Sequence, residues 1–156
     1  RGSRKKMGIE YRSYNLGDEI TPLIKTMSQE AINDFEGSAG VKHPTQFTDT
    51  EFAQERLGTA GTIASGRMSV TFCLELMRRN FGADSFNRTG MVDLRNLRPV
   101  RPGNTITFTG KIIDISREAN GNKITVEINA TNDEGNLTGV GKGSVIVPSG
   151  YFAPEE

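Results

Sequence analysis

The sequence predicts an α+β domain, a curved antiparallel sheet wrapped around one long central helix, and three observations carry that prediction. In GTAGTIASGRMSVTFCLELMRRNFG, Val70, Cys73, Leu74, Met77 and Phe81 recur at helical spacing, and Phe72 and Leu76 widen the stripe. Short helical segments come before this helix and long alternating segments after it. Two hairpin signals, Asn120-Gly121 and Asp133-Glu134-Gly135-Asn136, join the later segments.

The elements follow in chain order. Gly17-Asp18 turns into EITPLIKTM, where Ile20, Leu23 and Ile24 read as an edge strand that tolerates Pro22. A helix comes next, capped by Thr26 or Ser28, with Ala31, Ile32 and Phe35 on its apolar face and Gly37 and Gly40 at its end. The loop VKHPTQFTD holds His43, the only histidine of the chain. Thr48-Asp49-Thr50-Glu51 is a capping-box pattern and starts a second short helix, through Phe52, Ala53 and Leu57 to Gly58.

The central helix, from Gly58 to Gly82, is entered past Gly61, Ala64, Ser65 and Gly66, whose small side chains let another group approach the backbone. A ligand carbonyl that gains negative charge would be stabilised by the unpartnered first amides there. Close packing against a strand is the other use of such residues. ADSFNRTG then reads as a loop, MVDLRNL as a strand and PVRPGN as a turn. TITFTGKIIDIS alternates through Ile106 and Phe108 but breaks phase at Ile112-Ile113 beside Gly110, which predicts a bulge. KITVEINAT alternates through Ile124, Val126, Ile128 and Ala130. In LTGVGKGSVIV, Gly139, Gly141 and Gly143 leave one face bare, open to a helix or a partner subunit.

Composition narrows the function. The 156 residues suit one domain, taken as residues 7–156, and Arg1 to Lys6 ahead of Met7 read as an expression scar or disordered tail. Nineteen basic and nineteen acidic side chains cancel, so nothing favours nucleic acid or a membrane surface. One histidine and one cysteine argue against a metal site, and no cofactor is implied. Cys73, alone and on the apolar stripe, reads as a buried inert thiol and suits a cytoplasmic location. An open sheet of this size exposes edges, which a homodimer joined edge to edge would protect.

Four stretches, NLGDEI, FEGSAGVKHPTQFTDTEFAQERLG, TIASG and RPVRPGNTITFTGKI, resemble the MaoC-like dehydratases of the hot-dog fold, a family that includes R-specific enoyl-CoA hydratases. The resemblance covers Leu16 to Pro148. It implies a hot-dog domain and a lyase that hydrates or dehydrates an enoyl or hydroxyacyl thioester of CoA or carrier protein. The family's loop reads Asp, any residue, Asn, Pro, any residue, His, and its Asp and His form the catalytic dyad. Aligned on Pro44, this chain has Val41 at the Asp and Gln46 at the His; counted back from Asp49, it has Lys42 and Phe47. Neither register restores the dyad. Pro44, Asp49 and Gly66 do carry over, Gly66 as the backbone oxyanion donor, with Ser65 before it in place of the usual histidine. Asn104 stands where the family's proline-glycine turn has Asp.

Proton transfer in such a reaction needs a side chain that titrates near working pH. His43 is one candidate base, with Gln46 orienting water and Asp49 setting the imidazole tautomer; the alternatives are an ordinary loop histidine and a helix-terminal carboxylate. If His43 has no such role, Gln46, Asp49 and Glu36 are next. Ser65, Gly66 and Arg67 form the substrate-binding group, and Arg67, Lys5, Lys6, Arg95 or Arg98 could meet CoA phosphates. Two other functions compete with the hydratase. One is a non-catalytic thioester-binding or partner subunit, and the other is a thioesterase using Glu75, which is also spaced to pair with Arg79.

Overall fold

The computed structural model describes residues 3–6, 9–12, 14–38, 40, 45–58 and 61–148. Strands β1 (Ser3–Lys6) and β2 (Ile9–Arg12) form a small antiparallel hairpin, so residues 3–6, set aside as a tail by the sequence reading, have a paired backbone. The main sheet is built from β3 (Leu23–Thr26), β4 (Met91–Asn96), β5 (Thr105–Glu118), β6 (Gly121–Thr131) and β7 (Leu137–Val147). Its order is β3-β5-β6-β7-β4, antiparallel throughout. This is the α+β arrangement expected, with helix α3 (Gly66–Phe81) packed against the sheet.

Side-chain alternation explains how the sheet presents one face to that helix. Ile106, Phe108 and Ile112 of β5, Ile124, Val126, Ile128 and Ala130 of β6, and Val145 and Val147 of β7 are all buried. Met68, Cys73, Leu76, Met77 and Phe81 of α3 meet them in a single core. Gly143 makes room for the helix, since a Cβ there would come within 2.8 Å of the Met77 sulfur. The bulge predicted at Ile112-Ile113 is present, as a register shift between Ile112 and Asp114. The segment before β3 satisfies the backbone near it: Gly17 N–H donates to Ile112 O, Ile112 N–H to Asp18 O, and Ile20 N–H to Gly110 O.

Helix α1 (Gln29–Ser38) is capped by Ser28, whose Oγ accepts the Ala31 N–H at 3.0 Å. Helix α2 (Thr50–Leu57) is capped by Asp49, one residue later than the capping-box reading placed it, and ends at Gly58 with φ +66°. The larger correction falls on ADSFNRTG, expected as a loop. It forms helix α4 (Ala83–Thr89), with Ser85 and Phe86 buried and Asp84 paired with Arg88 across one turn. Gly82, at φ +90°, separates it from α3. Thr89 Oγ1 accepts the Ile146 N–H of β7, so docking rather than local propensity holds this short helix. Asn104, which replaces an aspartate of the resembling family, accepts the Arg101 N–H through Oδ1 and donates through Nδ2 to Asp133, a contact that a second carboxylate would turn repulsive.

Candidate functional site

The start of α3 lies on a cavity of about 310 Å³ lined by Ala64, Ser65, Gly66 and Ser69 on one side and Asn96 to Val100 on the other. Ser65 is the N-cap residue, with extended backbone, but its hydroxyl makes no capping bond. The Oγ is buried and has no hydrogen-bond partner among the described residues. The first amides of α3 therefore face the cavity without a side-chain cap. Gly66 lets the Asn96 side chain lie close to the helix start, since a Cβ there would fall 2.5 Å from the Asn96 amide nitrogen and turn that side chain aside. The two walls are tied together where Ala64 N–H donates to Val100 O at 2.8 Å.

Behind this entrance runs α1. Gln29, Ile32 and Glu36 lie on one of its faces at helical spacing. Gln29 accepts a hydrogen bond from Thr62 Oγ1 and donates to the Phe47 carbonyl, so one side chain links α1, the turn before α2 and the approach to α3. Glu36 is fully buried, and Arg67 Nη2 donates to its Oε2 at 3.0 Å. Its Oε1 is buried with no hydrogen-bond partner among the described residues.

The sequence-derived candidates thus fall into two groups. Ser65, Gly66 and Arg67 come together at the α3 entrance, with Arg67 held on Glu36. Gln46 and Asp49 lie on the connection between α1 and α2. The half-buried Gln46 sits in a turn closed by Thr48 N–H donating to Thr45 O. The Asp49 carboxylate accepts the Glu51 and Phe52 amides at 2.9 and 3.1 Å. His43 and Pro44 lie outside the described residues. Glu75, the residue of the thioesterase alternative, is held in ion pairs with Arg79 at 2.9 Å and Lys25 at 3.3 Å. Arg98 lines the cavity, and Arg95 is exposed on β4.

Glu36, a reserve candidate, is buried and holds Arg67, though it does not line the cavity. Its signal in the sequence was a carboxylate one turn beyond Ile32, on the apolar side of an amphipathic helix. Gln29 and Asn96 had no signal, since their roles depend on residues far along the chain.

Cys73 is buried and free, and desolvation pushes its thiol from 9.0 up to about 12. It is expected to resist an aromatic disulfide reagent at pH 8 in the native protein and to react fully in denaturant; rapid native labelling would contradict the burial. The folded chain keeps this proton up to about 12 while the unfolded chain releases it near 9.0, so this group's contribution to stability is lost as pH rises through that window.

No family model and no curated protein sequence matches the chain. Solved structures do match over nearly its whole length. A monoamine oxidase regulatory protein from Archaeoglobus superposes with a TM-score of 0.73 at 22% identity, covering 90% of this chain and 93% of the other. An (R)-hydratase from A. caviae involved in PHA biosynthesis gives 0.73 at 19% identity, covering 88% and 99%. A MaoC-like dehydratase from Rhodospirillum rubrum gives 0.69 at 20%, covering 91% and 96%. With its five-stranded antiparallel sheet packed on the long helix α3, the chain has the hot-dog fold of these proteins.

Proposed function

We propose that this chain is a hydratase or dehydratase, a lyase that interconverts the enoyl and β-hydroxyacyl thioesters of CoA or a carrier protein. The observation that carries this reading is the uncapped start of α3 opening onto the cavity beside Gly66 and Ser65. A thioester carbonyl placed there would direct its oxygen at the Gly66 N–H, where the negative charge of an enolate is stabilised by a fixed donor and the helix end. The Ser65 hydroxyl, buried without a partner, is available as a second donor. Ile63, Leu97, Pro99 and Val100 supply an apolar lining for the acyl group. The structural likeness to an (R)-hydratase and a MaoC-like dehydratase supports the reaction class.

The edge strand β4, with Met91 on it and Leu97 just after it exposed, supports a homodimer that continues the sheet. One observation favours the second reading, a non-catalytic thioester-binding subunit: no carboxylate or histidine lines the cavity among the described residues.

The test follows the loss of enoyl-thioester absorbance with short, medium and branched enoyl-CoA. Turnover on at least one chain length is expected. Thioester binding with no turnover on any of them would select the second reading instead.

A further inference from the structure

Resting on the thioester reading above, we propose that the acyl group taken by this site is short and ends in a carboxylate, which Arg98 binds through its guanidinium. The substrate class is then a dicarboxylic acyl thioester, with one carboxyl joined to the carrier and the other free.

The charge of the cavity calls for such a ligand. Arg98 lines it, and no acidic side chain among the described residues does. The neighbouring cations are engaged elsewhere: Arg67 pairs with Glu36 at 3.0 Å, and Arg101 donates to the Gly61 carbonyl at 3.5 Å. Arg98 is exposed and makes no ion pair with a described residue. A guanidinium keeps its proton at any working pH, and its parallel N–H groups match the two oxygens of a carboxylate.

The backbone holds Arg98 in place. The Leu97 and Arg98 amides both donate to the Thr138 carbonyl of β7, at 2.8 and 3.4 Å, and Pro99 restricts the Arg98 backbone to extended conformations. On either side of Arg98 the wall meets the α3 entrance, where Asn96 lies against Gly66 and Val100 accepts the Ala64 N–H. Arg98 therefore stands midway along a wall fastened at both ends, in the same cavity as the amide that would hold the thioester carbonyl.

That shared cavity decides which anion fits. The phosphates of CoA, or of a carrier's phosphopantetheine, are a whole pantetheine arm away from the thioester. With the carbonyl at Gly66 they fall outside the cavity, and the anion that reaches Arg98 is one on the acyl side. The volume of about 310 Å³ is at the small end for ligand sites, which suits a few carbons beyond the carbonyl. A long neutral chain would lay apolar carbon against the guanidinium and strip its hydration without replacing it. A terminal carboxylate supplies the missing partner, and the acyl chain is then fixed at two points, by the Gly66 amide and by Arg98.

The experiment measures the binding of glutaryl-CoA and valeryl-CoA by isothermal titration calorimetry to the wild-type chain, Arg98→Leu and Arg98→Lys. The two thioesters differ only in a terminal carboxylate in place of a methyl group, and neither has the double bond that hydration needs. Wild type is expected to bind glutaryl-CoA tighter by about tenfold or more, the worth of one charge-assisted contact. Arg98→Leu should bring the two affinities together, and Arg98→Lys, which keeps the charge and loses the fork, should retain part of the preference. A smaller preference in wild type, or one that persists in Arg98→Leu, would overturn the proposal. Either result leaves the hydratase reading intact, because turnover of enoyl-CoA is read separately. Binding of neither thioester would overturn the thioester reading together with this one. Far-UV circular dichroism checks that each variant is folded, and Arg98→Gln takes the place of an unfolded Arg98→Leu with the same outcomes.

Discussion

Replacing Gly141 with alanine is expected to destabilise the chain by about 3 kcal/mol, the upper range of overpacking in a well-packed site. Gly141 lies opposite Leu94 in the ladder between β7 and β4, and a Cβ there would overlap the Asp93 carbonyl oxygen. A flexible side chain could turn away from such a clash, but a strand backbone cannot, so β4 has to move. Because the chain continues from β4 into the cavity wall formed by Asn96 to Val100, the site should open as well as the sheet edge. Chemical denaturation gives the loss of stability, and amide exchange along β4 shows where it falls. Unchanged stability together with unchanged protection of the β4 amides would refute the clash. The same change at Gly139, where the nearest atom would be 3.3 Å away, should be much milder.

Replacing Asn80 with leucine should cost about 3 kcal/mol, a sum over three hydrogen bonds, one buried and two partly buried, and the backbone groups they leave behind. The Asn80 amide donates to Thr21 O and Leu76 O and accepts the Thr21 N–H. Tyr14 OH donates to the Asn80 carbonyl and packs its ring 5.1 Å from that of Phe81. One helix side chain therefore fastens the segment leading into β3. Leucine would fill the volume but leave the Thr21 groups unpaired, and a large loss of stability without a large cavity is the expected signature. A variant within about 0.5 kcal/mol of wild type would mean that water replaces those bonds without penalty.

Neither effect could be read from the sequence, and the reason is the same in both. Gly141 stood out as one of three alternate glycines, but its neighbour is a carbonyl nearly fifty positions earlier. Asn80 interrupted a helical stripe as an ordinary polar residue, and its partner is Thr21. Local periodicity records which face is apolar, and it carries no information on which distant group lies opposite. ADSFNRTG shows the converse: its one glycine and one asparagine satisfy loop chemistry, and Phe86 entering the core with Thr89 docked on β7 makes it a helix.

The sequence by itself determined the order of helix and strand from β3 onward except for α4, together with the bulge beside Gly110, the hairpins joining β5, β6 and β7 and the small-residue entrance to α3, because each follows from spacing or turn chemistry within a few residues. Tertiary structure alone decided the strand order, the clamp of Gln29 on Thr62 and Phe47, and the meeting of Glu36 with Arg67. Glu36 and Arg67 are thirty-one positions apart, and only the folded chain brings the two side chains into contact. In that contact a helix carboxylate is fully buried, and one of its oxygens has no hydrogen-bond partner among the described residues.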